Sequence, residues 1–211
     1  MKLNQLKIQD VDHNINIDKI RSTDIAVIGL AVKMPGANTI HEFWDNLLNG
    51  IDHVKPILNS RLSDIQTALS LRDISIDIKQ LKNCALLNRI DGFDYNFFHI
   101  SPREAELMDP HQRIFLQTAW EAFEDAGYGG DMLSGSTTGI FAAVNSGYTT
   151  AYKTLSMRSE NMDDGFFVTG NIESLLASRI SFLKNLKGPT MIIDSACSSS
   201  LVCLHLSLIH I

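Results

Sequence analysis

Cysteine is scarce in this chain. Three residues, Cys84, Cys197 and Cys203, are spread over 211 positions, with no Cys-x-x-Cys pair and no cysteine–histidine cluster at ligand spacing. A sparse, odd set argues against a disulfide framework or a zinc site and suits a reducing cytoplasm. Long basic runs are missing too, and the net charge is −6, so no nucleic-acid partner is expected. No apolar stretch is long enough to span a bilayer, and no membrane association is expected. Residues 1–20 alternate polar and apolar side chains, without the continuous apolar centre of a secretory signal. Residues 1–23 therefore read as a linker or lead-in segment. Internal repeats and low-complexity tracts are also lacking.

What remains is ordinary globular composition, 45% hydrophobic and 20% charged, long enough for one domain with a sizeable core. Order is expected from Asp24 onward. Asp24–Ala31, short, apolar and β-branched, predicts a buried strand broken at Gly29. Thr39 and Glu42 form a capping-box pattern before Ile40, Phe43, Trp44, Leu47 and Leu48, which share a helical face that Gly50 ends. A weaker helical stretch runs from Asp64 to Leu71. Asp109 caps a second helix with Pro110 at its first position and Gln112 completing a box, and Gly127 stops it. Thr138–Val144 and Thr190–Asp194 read as further buried strands. Asn171 to about Phe182 reads as a helix capped by Asn171. Strands and helices alternate, which implies an α/β domain with helices covering a central sheet.

Chemistry concentrates where the last strand ends. In Ile192-Ile-Asp-Ser-Ala-Cys-Ser-Ser-Ser-Leu201 an apolar strand turns through small residues into an apolar helix that starts close to Cys197. A free cysteine is only a few per cent thiolate at neutral pH. A helix start stabilises the anion through its dipole and unpaired N–H groups, and the same amides can face a developing oxyanion. The alternative is a small buried filler, the usual fate of a free cysteine. Cys203 lies about 240° around the helix from Cys197 at ~100° per residue, so Cys203 and Cys84 are read as packing residues. The three serines after Cys197 are a helix-start and close-packing feature.

Asp-Ser-Ala-Cys-Ser-Ser-Ser-Leu over residues 194–201, approached through Leu186-Lys-Gly-Pro189, resembles the active-site motif of β-ketoacyl synthase domains in polyketide synthases and animal-type fatty acid synthases. Two further blocks agree in order. Phe97-Phe-His-Ile-Ser-Pro-Arg-Glu-Ala-Glu-Leu-Met-Asp-Pro-His-Gln-Arg113 leads into Trp120–Gly127, and Ile25–Ala31 leads into Pro35-Gly-Ala37. The resemblance covers about Asp24 to Ser207 and rests on several motifs in order.

The resemblance implies a thiolase-like layered α/β fold, of which residues 24–211 are the N-terminal half, the C-terminal half being expected to follow. It implies that Cys197 accepts an acyl chain and that a malonyl-type extender then condenses with it. Its own backbone N–H is a candidate oxyanion donor. Cysteine rather than glutamine at this position favours the condensing type. No cofactor is expected to bind directly, because substrates ride on the phosphopantetheine of an acyl carrier protein. That carrier, a homodimer partner and other megasynthase domains are the implied partners, in the cytoplasm. Val32-Lys33 stands where the family usually carries Cys-Arg, and His111 where it carries glutamine. The family's two catalytic histidines and lysine belong to the second half, so this chain alone is expected to be inactive or weakly acylated.

Local histidines do not replace them. His205 lies some 12 Å along the helix from Cys197 and His210 farther, while His41, His53, His99 and His111 read as surface or capping residues. The helix after Cys197 is apolar on all sides and is expected to be exposed without a covering partner. Two other readings stay open: a non-catalytic dimerisation or scaffold piece that keeps the cysteine by descent, and a cysteine hydrolase needing a histidine partner.

Overall fold

A computed structural model of the chain describes residues 21, 23–70, 74, 77, 83–145 and 165–211. The lead-in expected over residues 1–23 falls almost wholly outside them. Helix α1, Ile40–Leu48, opens with the expected capping box. Thr39 Oγ1 accepts from Glu42 N–H at 3.2 Å, and Glu42 Oε2 accepts from the N–H groups of Thr39 at 3.2 Å and Asn38 at 2.7 Å. Gly50 follows at φ 62°, a left-handed conformation that a residue without Cβ adopts freely. Strand β1, Lys55–Pro56, pairs antiparallel with β2, Asn83–Cys84, and helix α2, Asn59–Ser70, lies between them. Cys84 was expected to pack but is exposed, because this two-residue ladder buries neither of its positions.

Helices α3, Pro102–Leu107, and α4, Pro110–Asp125, start by the same device, a side-chain oxygen placed just before a proline. Ser101 Oγ accepts from Glu104 N–H at 3.1 Å, and Asp109 Oδ1 accepts from His111 N–H at 2.7 Å. Proline at the first helical position leaves no N–H unpaired. Gln112 does not complete a capping box. Its Nε2 donates to the Ile172 carbonyl at 3.0 Å, and so ties α4 to the helices that follow.

Strand β3, Ile140–Ala143, occupies the centre of the expected Thr138–Val144 run. Helices α5, Gly165–Asn171, and α6, Ser174–Leu183, precede β4, Thr190–Ile193. Strand β4 runs parallel to β3 with Ile140 beside Thr190 and Ala143 beside Ile193, a pairing that requires a crossover between them. The helix expected from Asn171 to about Phe182 is α6, starting three residues later at Ser174, and a separate helix, α5, precedes it. Asn171 closes α5 instead of capping α6, because its Nδ2 donates to the carbonyls of Leu107 at 2.9 Å and Phe167 at 2.8 Å.

The core lies between α4, α6 and the paired strands. Phe98, Ile100, Ala105, Met108, Leu116 and Ile180 are buried together, and a smaller group of Ala142, Leu176 and Ala177 joins them through Phe115 and Ile140. Asp24–Ala31 is the main departure from expectation: it is extended but belongs to no ladder among the described residues. Leu30 N–H is taken by Asp125 Oδ2 at 2.8 Å, and a Cβ on Gly29 would come within 2.5 Å of the Ala122 carbonyl. The segment is docked against the side of α4, which leaves Val27, Ile28 and Leu30 exposed. No helix among the described residues is long and apolar enough to cross a membrane.

Candidate functional site

Strand β4 delivers the chain to a single 3₁₀ turn, Ala196–Ser198, from which helix α7, Ser199–Ile209, continues. Cys197 is the middle residue of that turn, and it is exposed. The bend is made at Ala196, whose φ of 55° is left-handed, a region that costs a residue with a Cβ roughly 1–2 kcal/mol. Side chains hold the bend. Ser195 N–H donates to Ser199 Oγ at 2.7 Å, and Ser199 Oγ donates to the Ala196 carbonyl at 2.8 Å. Ala196 N–H donates to Asp194 Oδ1 at 3.1 Å, and Ser198 Oγ donates to the Ser195 carbonyl at 2.9 Å.

This arrangement sets Cys197 at the N-terminal end of α7, where Ser198 N–H donates to the Ser195 carbonyl at 3.4 Å and Ser199 N–H to the Ala196 carbonyl. The macrodipole there favours negative charge. Helix α7 packs on β3 and β4, and both strands run toward the turn. The other two thiols lack this placement. Cys203, inside α7, is buried, and burial pushes its thiol up from the ordinary value, which keeps it protonated. Cys84 is exposed but sits in the short ladder, at no helix start among the described residues. Cys197 alone joins exposure to a helix terminus.

His41, His99 and His111 fall at the surface or capping positions the sequence indicated, whereas His53 is partly buried, with its Nε2 out of solvent. His205 and His41 are exposed, and His210 stacks on Phe141 at 5.5 Å between ring centres. His111 Nδ1 lies 2.8 Å from Asp109 Oδ1 at the start of α4. His53 lies against Gly36, where an added Cβ would collide with its ring. Among the described residues no group of three or more His, Cys, Asp or Glu side chains could hold a metal ion. Two hollows of about 720 and 830 Å³ are lined respectively by Glu104, Phe166 and Arg179 and by Val27, Phe115 and Cys203; neither is lined by Cys197.

The sequence grouped three serines as one packing feature, and the structure separates them. Ser199 is buried and bonded in two directions, while Ser198 and Ser200 are exposed. Only the position of Ser199, one turn after the bend, distinguished it in the sequence.

The chain belongs to the β-ketoacyl synthase family: the family described as "Beta-ketoacyl synthase, N-terminal domain" matches residues 22–211. It is 39% identical over 190 residues to polyketide synthase PksM of Bacillus subtilis, covering 90% of this chain and 4% of that protein. Among solved structures it is similar to the ketosynthase from module 6 of the bacillaene synthase of Bacillus subtilis 168. That likeness has a TM-score of 0.64 at 36% identity over 86% of this chain and 27% of the other. The oxazolomycin ketosynthase domain of Streptomyces albus JA3453 gives a TM-score of 0.68 at 30% identity, over 86% of this chain and 31% of its own. The fold is accordingly the thiolase-like α/β fold of ketosynthase domains, of which this chain spans less than a third.

Proposed function

We propose that this chain is the nucleophile-bearing part of a polyketide ketosynthase that performs decarboxylative condensation, with Cys197 as the acyl acceptor. The observation that carries the reading is the exposed thiol in the turn that opens α7. Its thiolate attacks the thioester carbonyl of an acyl group carried on the phosphopantetheine of an acyl carrier protein. The tetrahedral oxyanion is taken by the backbone N–H of Cys197. Collapse expels the carrier thiolate, which takes up a proton, and leaves the acyl group on sulfur.

A malonyl-type extender on a second carrier then loses CO₂. The electron pair of the broken C–C bond attacks the acyl-cysteine carbonyl, the new C–C bond forms, and the cysteine leaves again as thiolate. Imidazoles assist the decarboxylation in this chemistry. No described histidine of this chain stands beside Cys197, so such groups come from the remainder of the ketosynthase, and this chain alone loads slowly. The carrier protein, a second copy in a homodimer and the neighbouring domains of a cytoplasmic megasynthase are the partners this reading calls for. The polyketide assignment is supported by the names of the relatives.

Incubation with an acyl-loaded carrier protein should move the acyl mass onto this protein and free the carrier thiol, and Cys197→Ala should abolish the transfer. Malonyl-loaded carrier should then discharge the acyl group with release of CO₂ wherever the rest of the ketosynthase is present. Transfer that survives Cys197→Ala contradicts the proposal. Self-association without acyl uptake, even with the complete ketosynthase, would favour a scaffold role instead.

A further inference from the structure

Resting on the reading of Cys197 as nucleophile, we propose that Ser199 is the positioning residue that presents its thiol, by locking Ala196 in the left-handed bend. Ala196 carries a Cβ and stands at φ 55°, so the bend is held by its surroundings rather than by its own preference. The hydroxyl of Ser199 bridges both sides of that residue. It accepts from Ser195 N–H at 2.7 Å and donates to the Ala196 carbonyl at 2.8 Å. The Ala196 carbonyl also receives the backbone N–H of Ser199. Donor and acceptor capacity of the hydroxyl are both used, and the side chain is buried, where water does not compete for either bond.

Asp194 takes the remaining amide of the bend, Ala196 N–H, at 3.1 Å. The backbone on the strand side of Cys197, the residue that opens the helix start, is thereby fixed. Removing the Ser199 hydroxyl frees Ser195 N–H and weakens the hold on the Ala196 carbonyl. Ala196 then relaxes toward negative φ, and the sulfur swings away from the helix terminus.

The three thiols supply the test, because each reports separately. The rate of alkylation by iodoacetamide is measured at each cysteine of the 211-residue chain by mass spectrometry. Exposed Cys84 gives the reference rate and buried Cys203 reports unfolding. Ser199→Ala should slow Cys197 about twofold to fivefold relative to Cys84, the range set by losing a helix-terminus interaction, with Cys203 still protected. Adding Ala196→Gly to Ser199→Ala should restore most of the rate, because glycine takes positive φ without support. Ser207→Ala, which removes a similar hydroxyl bond to the Leu204 carbonyl farther along α7, should leave Cys197 unchanged.

An unchanged Cys197 rate in Ser199→Ala with Cys203 protected overturns the proposal, and so does a slowed rate that glycine at position 196 fails to recover. Should Ser199→Ala expose Cys203, Ser199→Thr decides. A wild-type Cys197 rate with Cys203 protected supports the role of the hydroxyl, and a slowed one refutes it. Alkylation requires no acyl transfer. Rates that behave as stated while acyl carriers never load Cys197 would sink the functional reading and leave the positioning role standing.

Discussion

At the scale of single residues, the start of α4 carries a charge arrangement that the family resemblance did not anticipate. His111, where the family usually has glutamine, places its ring against Asp109, the side chain that caps the helix. The hydrogen bond that protonated His111 donates from Nδ1 to the Asp109 carboxylate raises the imidazole above the usual histidine value, against a smaller opposing effect of partial burial. A raised value in the folded state means that the interaction stabilises fully below the unfolded value of about 6.5. It is lost as the pH climbs through the higher folded value. His111→Gln should therefore reduce the difference in thermal midpoint between mildly acidic and mildly alkaline solution. An identical pH dependence in both proteins would remove the pair from the account. Lys184 illustrates the opposite tendency. Burial lowers it below the ordinary lysine value, while its Nζ donates to the carbonyls of Gly130 at 2.8 Å and Tyr128 at 3.3 Å and lies 3.7 Å from the Trp120 ring centre.

At the scale of elements, packing decides which substitutions matter. Leu116 of α4 is 1% exposed within the main core, whereas Leu201 of α7 is 69% exposed. Leu116→Ala should cost about 2–5 kcal/mol through lost transfer energy and the cavity left behind. Leu201→Ala should stay within about 0.5 kcal/mol. Urea titration of both variants checks the contrast, and similar losses would contradict the placement of α7's outer stripe in solvent. Elements whose boundaries rest on local chemistry were legible from the sequence: the Thr39–Glu42 box, Asp109 with Pro110, and the small-residue turn before α7. Side chains that choose distant partners were not. Gln112 and Asn171 both resembled local caps, yet they bond to Ile172 and Leu107 across the fold. The same holds for Asp24–Ala31, whose alternatives, a strand neighbour or the side of α4, cannot be told apart from an apolar run. At the site, Cys197 was legible because strand, turn and helix are contiguous. The bond of Ser199 around Ala196 was hidden, since three serines in a row look alike until one of them is buried.

At the scale of the molecule, apolar surface is left open in two places. Leu201, Leu204 and Leu208 form an exposed stripe on α7, and Val27, Ile28 and Leu30 lie bare on the docked N-terminal segment. Contiguous apolar surface of this kind marks interfaces. The isolated chain should self-associate, so light scattering should give a mass that rises with concentration. A monodisperse monomer with a cooperative unfolding transition would contradict this. The central claim concerns which thiol accepts an acyl group, and two thiols open to solvent make it sharply testable. The decisive measurement is site-resolved mass spectrometry after exposure to an acyl-pantetheine thioester. The added acyl mass should appear on Cys197, with Cys84 and Cys203 unmodified. Labelling of Cys84 at a rate equal to that of Cys197 would mean that the helix start confers nothing, and the assignment would be wrong.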